Sequence, residues 1–355
     1  MKWIIGLDVG GTKCAAVLAQ VGGTIQIRER AAFPTRAQRP FREILDDLFA
    51  AVRRVLSRGG VPISQVEAIG VSCGGPLDSR RGIVLGPPNL PTWVDIPIVE
   101  LLRREFGVPA YLQNDAKACA LVEWQLGAGR GTRNMVFLTM GTGMGSGIIA
   151  EGRLVCGACD MGGEIGHMRI EPGGPMGFGK HGSFSGFTSG GGIARFARQL
   201  ALDALDRGRP FAFAATRQAV LALDTKAVAA AAHAGDPDAR CIFSRVGEKL
   251  GKGVALLIDI LNPELVVIGS IFVRCEALLR PSMEQVLAAE CIPYSLAACR
   301  VVPAQTGEQL GDLAGVMAAL HGPYNAARAE HRGGAPAGPE PLPGPFARPQ
   351  THRPL

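Results

Sequence analysis

No stretch of this chain approaches the roughly 20 consecutive apolar residues that a membrane span needs. Its most hydrophobic region is interrupted by Asp259, Asn262, Pro263 and Glu264. The opening Met1-Lys2-Trp3-Ile4-Ile5-Gly6-Leu7-Asp8 reaches an aspartate, and then glycines, where a signal peptide needs an unbroken apolar run. The expectation is a cytoplasmic protein. Clustered positive charge is also missing: the formal charge is +6, but Lys and Arg are scattered and several follow Pro323. No helix-turn-helix precedes the first strand, so nucleic-acid binding is set aside. The net charge better suits the approach of an anionic substrate such as a nucleotide. A paired cysteine framework is lacking too, since nine cysteines is an odd number and a cytosolic chain keeps its thiols free. Cys156-Gly157-Ala158-Cys159 has zinc or redox spacing, yet no second cysteine pair follows at structural-zinc spacing. Two unpaired core thiols are expected there.

At 355 residues, 47% hydrophobic and 19% charged, the chain can bury large cores and is expected to form two domains. Trp3 to Leu7 reads as a strand, turned by Asp8-Val9-Gly10-Gly11-Thr12-Lys13 into a second, Cys14 to Ala19. Gly22-Gly23 turns that into a third, Thr24 to Ala31. Apolar residues from Phe41 to Leu56 recur at helical spacing. Glu67 to Ser72 is a strand ending at Gly74-Gly75-Pro76, and a proline-rich loop, Gly86 to Trp93, precedes a helix at Ile98 to Phe106. The strand Ala110 to Gln113 delivers Asn114 and Asp115 to the start of a helix, Ala116 to Leu126. Strand, glycine turn and strand then recur at Met135 to Ile149. Helices follow at Ile193 to Leu205, Lys226 to His233 and Ala239 to Leu261, then a strand at Leu265 to Ile268. A helix at Cys275 to Leu287, a strand at Arg300 to Val302 and a last helix at Gly311 to His321 complete the pattern. Residues 323–355 are dense in Pro, Gly, Ala and Arg and should form a disordered tail.

Three parts carry chemistry. Gly10-Gly11 alone would mean only a hairpin backbone. With Asp8, Thr12 and Lys13 in the same turn, amides and a hydroxyl can face a phosphate while Asp8 holds a metal ion, directly or through water. Gly141-Thr142-Gly143 repeats the device, and two such turns can pinch a triphosphate from both sides. A dinucleotide fold is disfavoured because each turn leads into a strand. Asp115 is either a helix N-cap or the carboxylate that takes the proton of an attacking hydroxyl, with Asn114 beside it to meet neighbouring hydroxyls. Gly162-Gly163-Glu164-Ile165-Gly166-His167 presents Glu164 and His167 on a tight turn, as substrate ligands or as a structural pair.

Together with Gly74-Gly75-Pro76 and Pro88-Asn89-Leu90 with Trp93, these motifs make the chain resemble the ROK family of repressors, open reading frames and sugar kinases. The resemblance runs from about Trp3 to Leu320. It implies an α/β, two-lobed actin-like and hexokinase-like ATPase fold of duplicated βββαβαβα topology. The N-terminal lobe would span residues 1–115 and the C-terminal lobe 116–310, with the last helix, 311–321, packing back on the first. It further implies ATP and Mg²⁺, a hexose-like sugar phosphorylated at its 6-hydroxyl, Asp115 as general base, and Asn114, Glu164 and His167 on the sugar's other hydroxyls. Gly75 and Asn89 would line the same pocket. Asp8, Gly11, Thr12, Thr142 and Gly143 would meet the nucleotide, with Gly269 near the adenosine. A homodimer is implied as well. Repressor members carry an N-terminal DNA-binding module, and this chain starts on the first strand, which points to the kinase branch.

Two departures qualify this. Many members bind a structural zinc through the motif's His and three following cysteines, whose places are taken here by Met176, Phe178 and Ser183. Those groups cannot replace thiolates, so no zinc is expected, with Phe178 and Phe184 packing in its place. Ser185 stands where the family usually has a sugar-contacting glutamate, which should leave room in the pocket and one charge-assisted hydrogen bond fewer. A weakly active kinase, a kinase for a bulkier or amino-substituted sugar and a non-catalytic sugar sensor therefore stay open beside a glucokinase-like enzyme. An actin-like or chaperone-like ATPase would need a large insertion or a peptide-binding region, and the sequence has neither.

Overall fold

The structure, a computed structural model, describes residues 1–331, with side chains through residue 322. In the first half, β1 (Lys2–Val9), β2 (Lys13–Val21) and β3 (Ile25–Pro34) form an antiparallel meander. β4 (Val66–Cys73) pairs parallel to β1, and β5 (Ala110–Asn114) parallel to β4. The order is β3-β2-β1-β4-β5. β1 is central and covered on both faces, which is why Ile4, Ile5, Leu7 and Val9 are all apolar and buried. On one face lie α1 (Phe41–Gly59) and α2 (Ile98–Phe106), whose stripes Ile44, Leu45, Leu48, Val52 and Ile98, Val99, Leu102 join a single core. Each ends at a glycine in the left-handed conformation, Gly60 and Gly107.

The second half repeats the sheet. β6 (Met135–Met140), β7 (Met144–Ala150) and the short β8 (Arg153–Leu154) are antiparallel, while β9 (Leu265–Ile268) and β10 (Arg300–Pro303) add in parallel. The order is β8-β7-β6-β9-β10, strand for strand the arrangement of the first sheet. Between β7 and β9 the second half inserts a helical layer. It comprises α4 (Phe184–Thr188), α5 (Gly190–Asp206), α6 (Arg217–Ala222), α7 (Thr225–His233) and α8 (Pro237–Leu261). α9 (Ile271–Glu290) and α10 (Pro293–Ala298) follow β9, and the layer's apolar faces form the largest core with Val136, Leu138, Val266 and Ile268.

Two helices are exchanged between the halves. α3 (Asp115–Leu126) leaves the first sheet and packs on β6 and β7, while α11 (Leu310–His331) leaves the second and lies across β1, β4 and β5. α11 approaches the first sheet backbone to backbone: a Cβ on Gly70 would collide with the Gly315 carbonyl, and one on Gly6 would stand 2.7 Å from Val316 N. The two helices also pack on each other. Glu123 of α3 pins this junction: it is fully buried, and its carboxylate accepts from Gln305 N (3.0 Å), Thr306 N (2.9 Å) and Ala128 N (2.9 Å). Three donors on Oε1, the Thr306 hydroxyl included, and one on Oε2 are what makes a buried carboxylate tolerable.

α11 continues past the expected end at His321 to His331. The Ala-rich segment beyond Pro323 is built of strong helix formers, so the helix runs into the segment whose Pro, Gly, Ala and Arg content implies a tail. The remainder of that expected tail lies outside the described residues. Among the described residues, no helix is long and apolar enough to cross a membrane.

Candidate active site

The first turn joins β1 to β2. Gly10 N donates to Lys13 O (3.2 Å), and Thr35 backs the turn through Thr35 N to Thr12 O (3.0 Å) and Thr35 Oγ1 to Gly10 O (2.5 Å). Thr12 and Lys13 are left exposed. Gly11 is required by close approach: a Cβ there would collide with the Asn89 carbonyl, so the loop bearing Asn89 rests directly on the turn. Asp8 lies beneath it, its Oδ2 3.2 Å from the position of a Cβ on Gly311 at the start of α11. Burial, then the nearby carboxylates of Asp115 and Asp312, push its pKa up to about 7 against the pull of Lys13 and Arg30.

The register pairing Cys73 with Asn114 sets Gly74-Gly75 beside Asn114-Asp115 at the carboxyl ends of parallel strands, where open α/β sheets place their ligands. Asn114, not Asp115, is the N-cap of α3: its Oδ1 accepts from Lys117 N (3.2 Å), leaving its Nδ2 toward Gly75. Asp115 is thereby released. Its Oδ1 accepts from Ala116 N (2.7 Å), and its Oδ2 faces Gly74. The carboxylate is open to water yet ringed by protein. Burial raises its pKa, and the N–H groups of Ala116 and of Asp115 itself lower it.

The second turn, Gly141-Thr142-Gly143, joins β6 to β7, closed by Gly141 N to Gly143 O (3.1 Å). Gly190 N at the start of α5 donates to Gly141 O (2.8 Å), and Ser270 Oγ at the start of α9 lies 3.6 Å from a Cβ on Gly141. Gly269 N is held by Leu138 O at 2.9 Å. Two helix N-termini thus converge on this turn, an arrangement suited to anions. Asp115 stands next to it, since Ala116 packs on Gly145, where a Cβ would be 3.0 Å from that of Ala116.

Glu164 and His167 flank a one-turn 3₁₀ helix (Ile165–His167), with His167 Nε2 3.9 Å from Glu164 Oε2. The turn is seated on β7: the Ser146 hydroxyl donates to Gly163 O, and Gly166 has no room for a Cβ beneath Met144 O. The loop before it crosses to the first half. Asp160 takes Ser79 N on its Oδ2 (2.6 Å), and its carbonyl accepts from the Nζ of Lys117, a lysine buried on α3. Sequence reasoning missed both residues; the signal for Lys117 was a lone charge inside the apolar run of a helix. Cys156 and Cys159 sit in the same loop, and Cys159 is exposed rather than a core thiol, because the loop arches outward through left-handed Gly157 and Asp160. All nine cysteines are free.

The donors at the expected zinc position do not fit a metal. Met176 is exposed, Ser183 is buried with its hydroxyl donating to Gly177 O (3.0 Å), and Phe178 stacks on His167. Phe184 parts from Phe178 and packs into the second core against Gly253. Ser185 is buried, and its hydroxyl accepts from Met144 N (3.3 Å), tying α4 to β7. For magnesium the fit is better. Asp8 and Asp115 are oxygen donors whose mutual repulsion a cation would relieve, and Mg²⁺ asks for one or two carboxylates beside substrate phosphates.

The fold and these sequence motifs recur in known proteins. A family model described as "ROK family" matches residues 4–321. The glucokinase of Thermotoga maritima is 30% identical over 311 residues, covering 87% of this chain and 95% of the relative. That of Halalkalibacterium halodurans is 33% identical over 306 residues, covering 82% and 87%. Among solved structures, a ROK family glucokinase from Streptomyces griseus in complex with glucose and AMPPNP superposes with a TM-score of 0.71 at 29% identity, covering 90% of this chain and 99% of that one. By the extent of that family match and by these full-length likenesses, the chain belongs to the ROK family.

Proposed function

We propose that this protein is an ATP-dependent sugar kinase that transfers the γ-phosphoryl group to a hydroxyl of a hexose-like sugar, glucokinase-like and acting on the 6-hydroxyl. The observation that carries the reading is the placement of Asp115, freed from capping by Asn114 and set among Asp8, Gly74-Gly75 and the β7 end of the second turn. The amides and hydroxyls of both turns receive the phosphates, with Asp8 holding Mg²⁺, which when bound offsets charge on the β- and γ-phosphates. The sugar lies against Gly75, Asn89, Asn114, Glu164 and His167. Asp115 Oδ2 accepts the hydroxyl proton; a carboxylate whose pKa is raised toward neutrality is a more effective base than a free one. Closing the site against water keeps ATP for the sugar.

The test is ADP release from Mg-ATP across hexoses, N-acetylhexosamines and polyols, with Asp115→Ala beside the native protein. Sugar-dependent release that disappears in the variant supports the assignment. Near-native turnover in the variant removes Asp115 from the mechanism. Sugar binding without turnover in the native protein replaces the kinase with a sensor.

A further inference from the structure

Phe178 is a large apolar residue at a hairpin-turn position that Asn, Asp or Gly usually fills, and its exposure gives it no part in a core. It sits at the tip of the hairpin formed by Met176–Gly177 and Lys180–His181, with φ at 52°, a left-handed conformation that favours glycine. Its side chain is 40% exposed, so it adds little to any core. The ring nevertheless has one definite place. It stacks on the His167 imidazole with centroids 4.1 Å apart and planes 16° from parallel. Its Cζ lies 3.7 Å from a Cβ position on Gly143, and its Cε2 3.4 Å from one on Gly166. The edge of the ring thus lies beside the second turn while His167 covers its face. The same hairpin grips His167 again through Lys180 Nζ, which donates to the His167 carbonyl (3.2 Å).

We propose that Phe178 is a positioning residue that fixes the plane of the His167 imidazole for the sugar, doing by aromatic stacking what the missing metal ligands cannot. The inference rests on the kinase reading for the identity of the ligand, and its geometry is independent of turnover. A histidine that is half exposed on a one-turn helix has free rotation about its side-chain bonds. Confining it to one plane before the sugar arrives removes an ordering cost from binding. The two-residue hairpin needs a left-handed residue at position 178, and a bulky ring is kept there in place of the Asn, Asp or Gly that such turns favour.

The experiment compares Phe178→Gly and Phe178→Trp with the native protein, using the sugar of the panel above that the native protein binds most tightly in calorimetry. Glycine accepts a φ of 52° without strain. Phe178→Gly should therefore keep or raise the thermal midpoint and leave the Kd for a non-hydrolysable ATP analogue within about twofold, while weakening sugar binding by about tenfold in calorimetry. Phe178→Trp should recover sugar affinity to within about threefold. In proton NMR, the ring-current shift of the His167 Cε1 proton should vanish in Phe178→Gly and return in Phe178→Trp. Unchanged sugar affinity in Phe178→Gly overturns the proposal, as does a lowered thermal midpoint with both ligands weakened together. A native protein that binds sugar but does not turn over leaves this inference standing and removes the kinase reading; one that binds no sugar removes both.

Discussion

The turns at residues 8–13 and 141–143 occupy the same place in two sheets of the same strand order, yet their surroundings differ. The first carries Asp8 and rests on the Asn89 loop through Gly11, with Asp115 and Asp312 close enough to raise Asp8 further. The second carries no acid and is fastened instead to the N-termini of α5 and α9 through Gly141. One scaffold has been used twice, once to gather negative charge and once to gather helix N-termini. On the proposed reading, a nucleotide with a divalent cation needs both. Neither turn is a complete site alone.

The largest effect should come from removing the carboxylate that lies between them. Asp115→Ala should lower sugar-dependent turnover by about 10³-fold while leaving the nucleotide Kd nearly unchanged; steady-state kinetics with an equilibrium nucleotide titration checks both. Next, the glycines should prove unequal. Gly11→Ala must push the Asn89 backbone away and should cost about 10²-fold in kcat/KM. Gly143→Ala meets only the edge of Phe178 at 3.7 Å and should cost under about threefold. Equal losses would mean that the turns are not differentiated in the way described.

The surplus of acid predicts a pH dependence to which Asp8 contributes most clearly, with Asp115 adding to it in the same direction. Asp8 holds its proton in the folded protein up to about pH 7, whereas an unfolded aspartate ionises near pH 4. Below about 4 both states are protonated and the group is neutral in its effect. Between about 4 and 7 only the unfolded state releases the proton, so ligand-free stability falls as pH rises and levels off above 7. Asp8→Asn should flatten that slope and raise the melting temperature at pH 8 by a few degrees, on the order of 1–2 kcal/mol, while weakening Mg-ATP binding. A variant with the native pH profile would remove Asp8 as its source. The smallest effect concerns zinc. Elemental analysis of purified protein should find far less than one zinc per chain, and a zinc-selective chelator should leave the melting temperature unmoved.

Much of the scaffold was legible because glycine and proline punctuate it. The helix Ile98–Phe106 and the strand Leu265–Ile268 begin and end where periodicity and turn residues placed them. Boundaries slipped where capping decided them: α8 starts at Pro237 because Asp236 caps Ala239 N, ahead of the first apolar repeat. Short elements such as α4, α6 and α10 escaped notice because five or six residues carry too little periodicity. Around the site, strand ends and turns were readable. The Lys117–Asp160–Ser79 bridge and the Phe178–His167 stack were not, because they join residues whose pairing only tertiary structure determines. The bond of Ser185 was hidden for a related reason: Ser185 lies on α4 and its partner, Met144 N, on β7.

The exchange of α3 and α11 bears on how the chain can be divided. A fragment ending before α11 would leave the small-residue face of the first sheet, with Gly6 and Gly70, exposed to water, and a fragment beginning after α3 would strip the matching face of the second. The halves are interleaved like clasped hands, so co-expressed fragments should assemble only when each retains its travelling helix, and a split-protein reporter built on this chain should be cut inside the helical layer between α5 and α8.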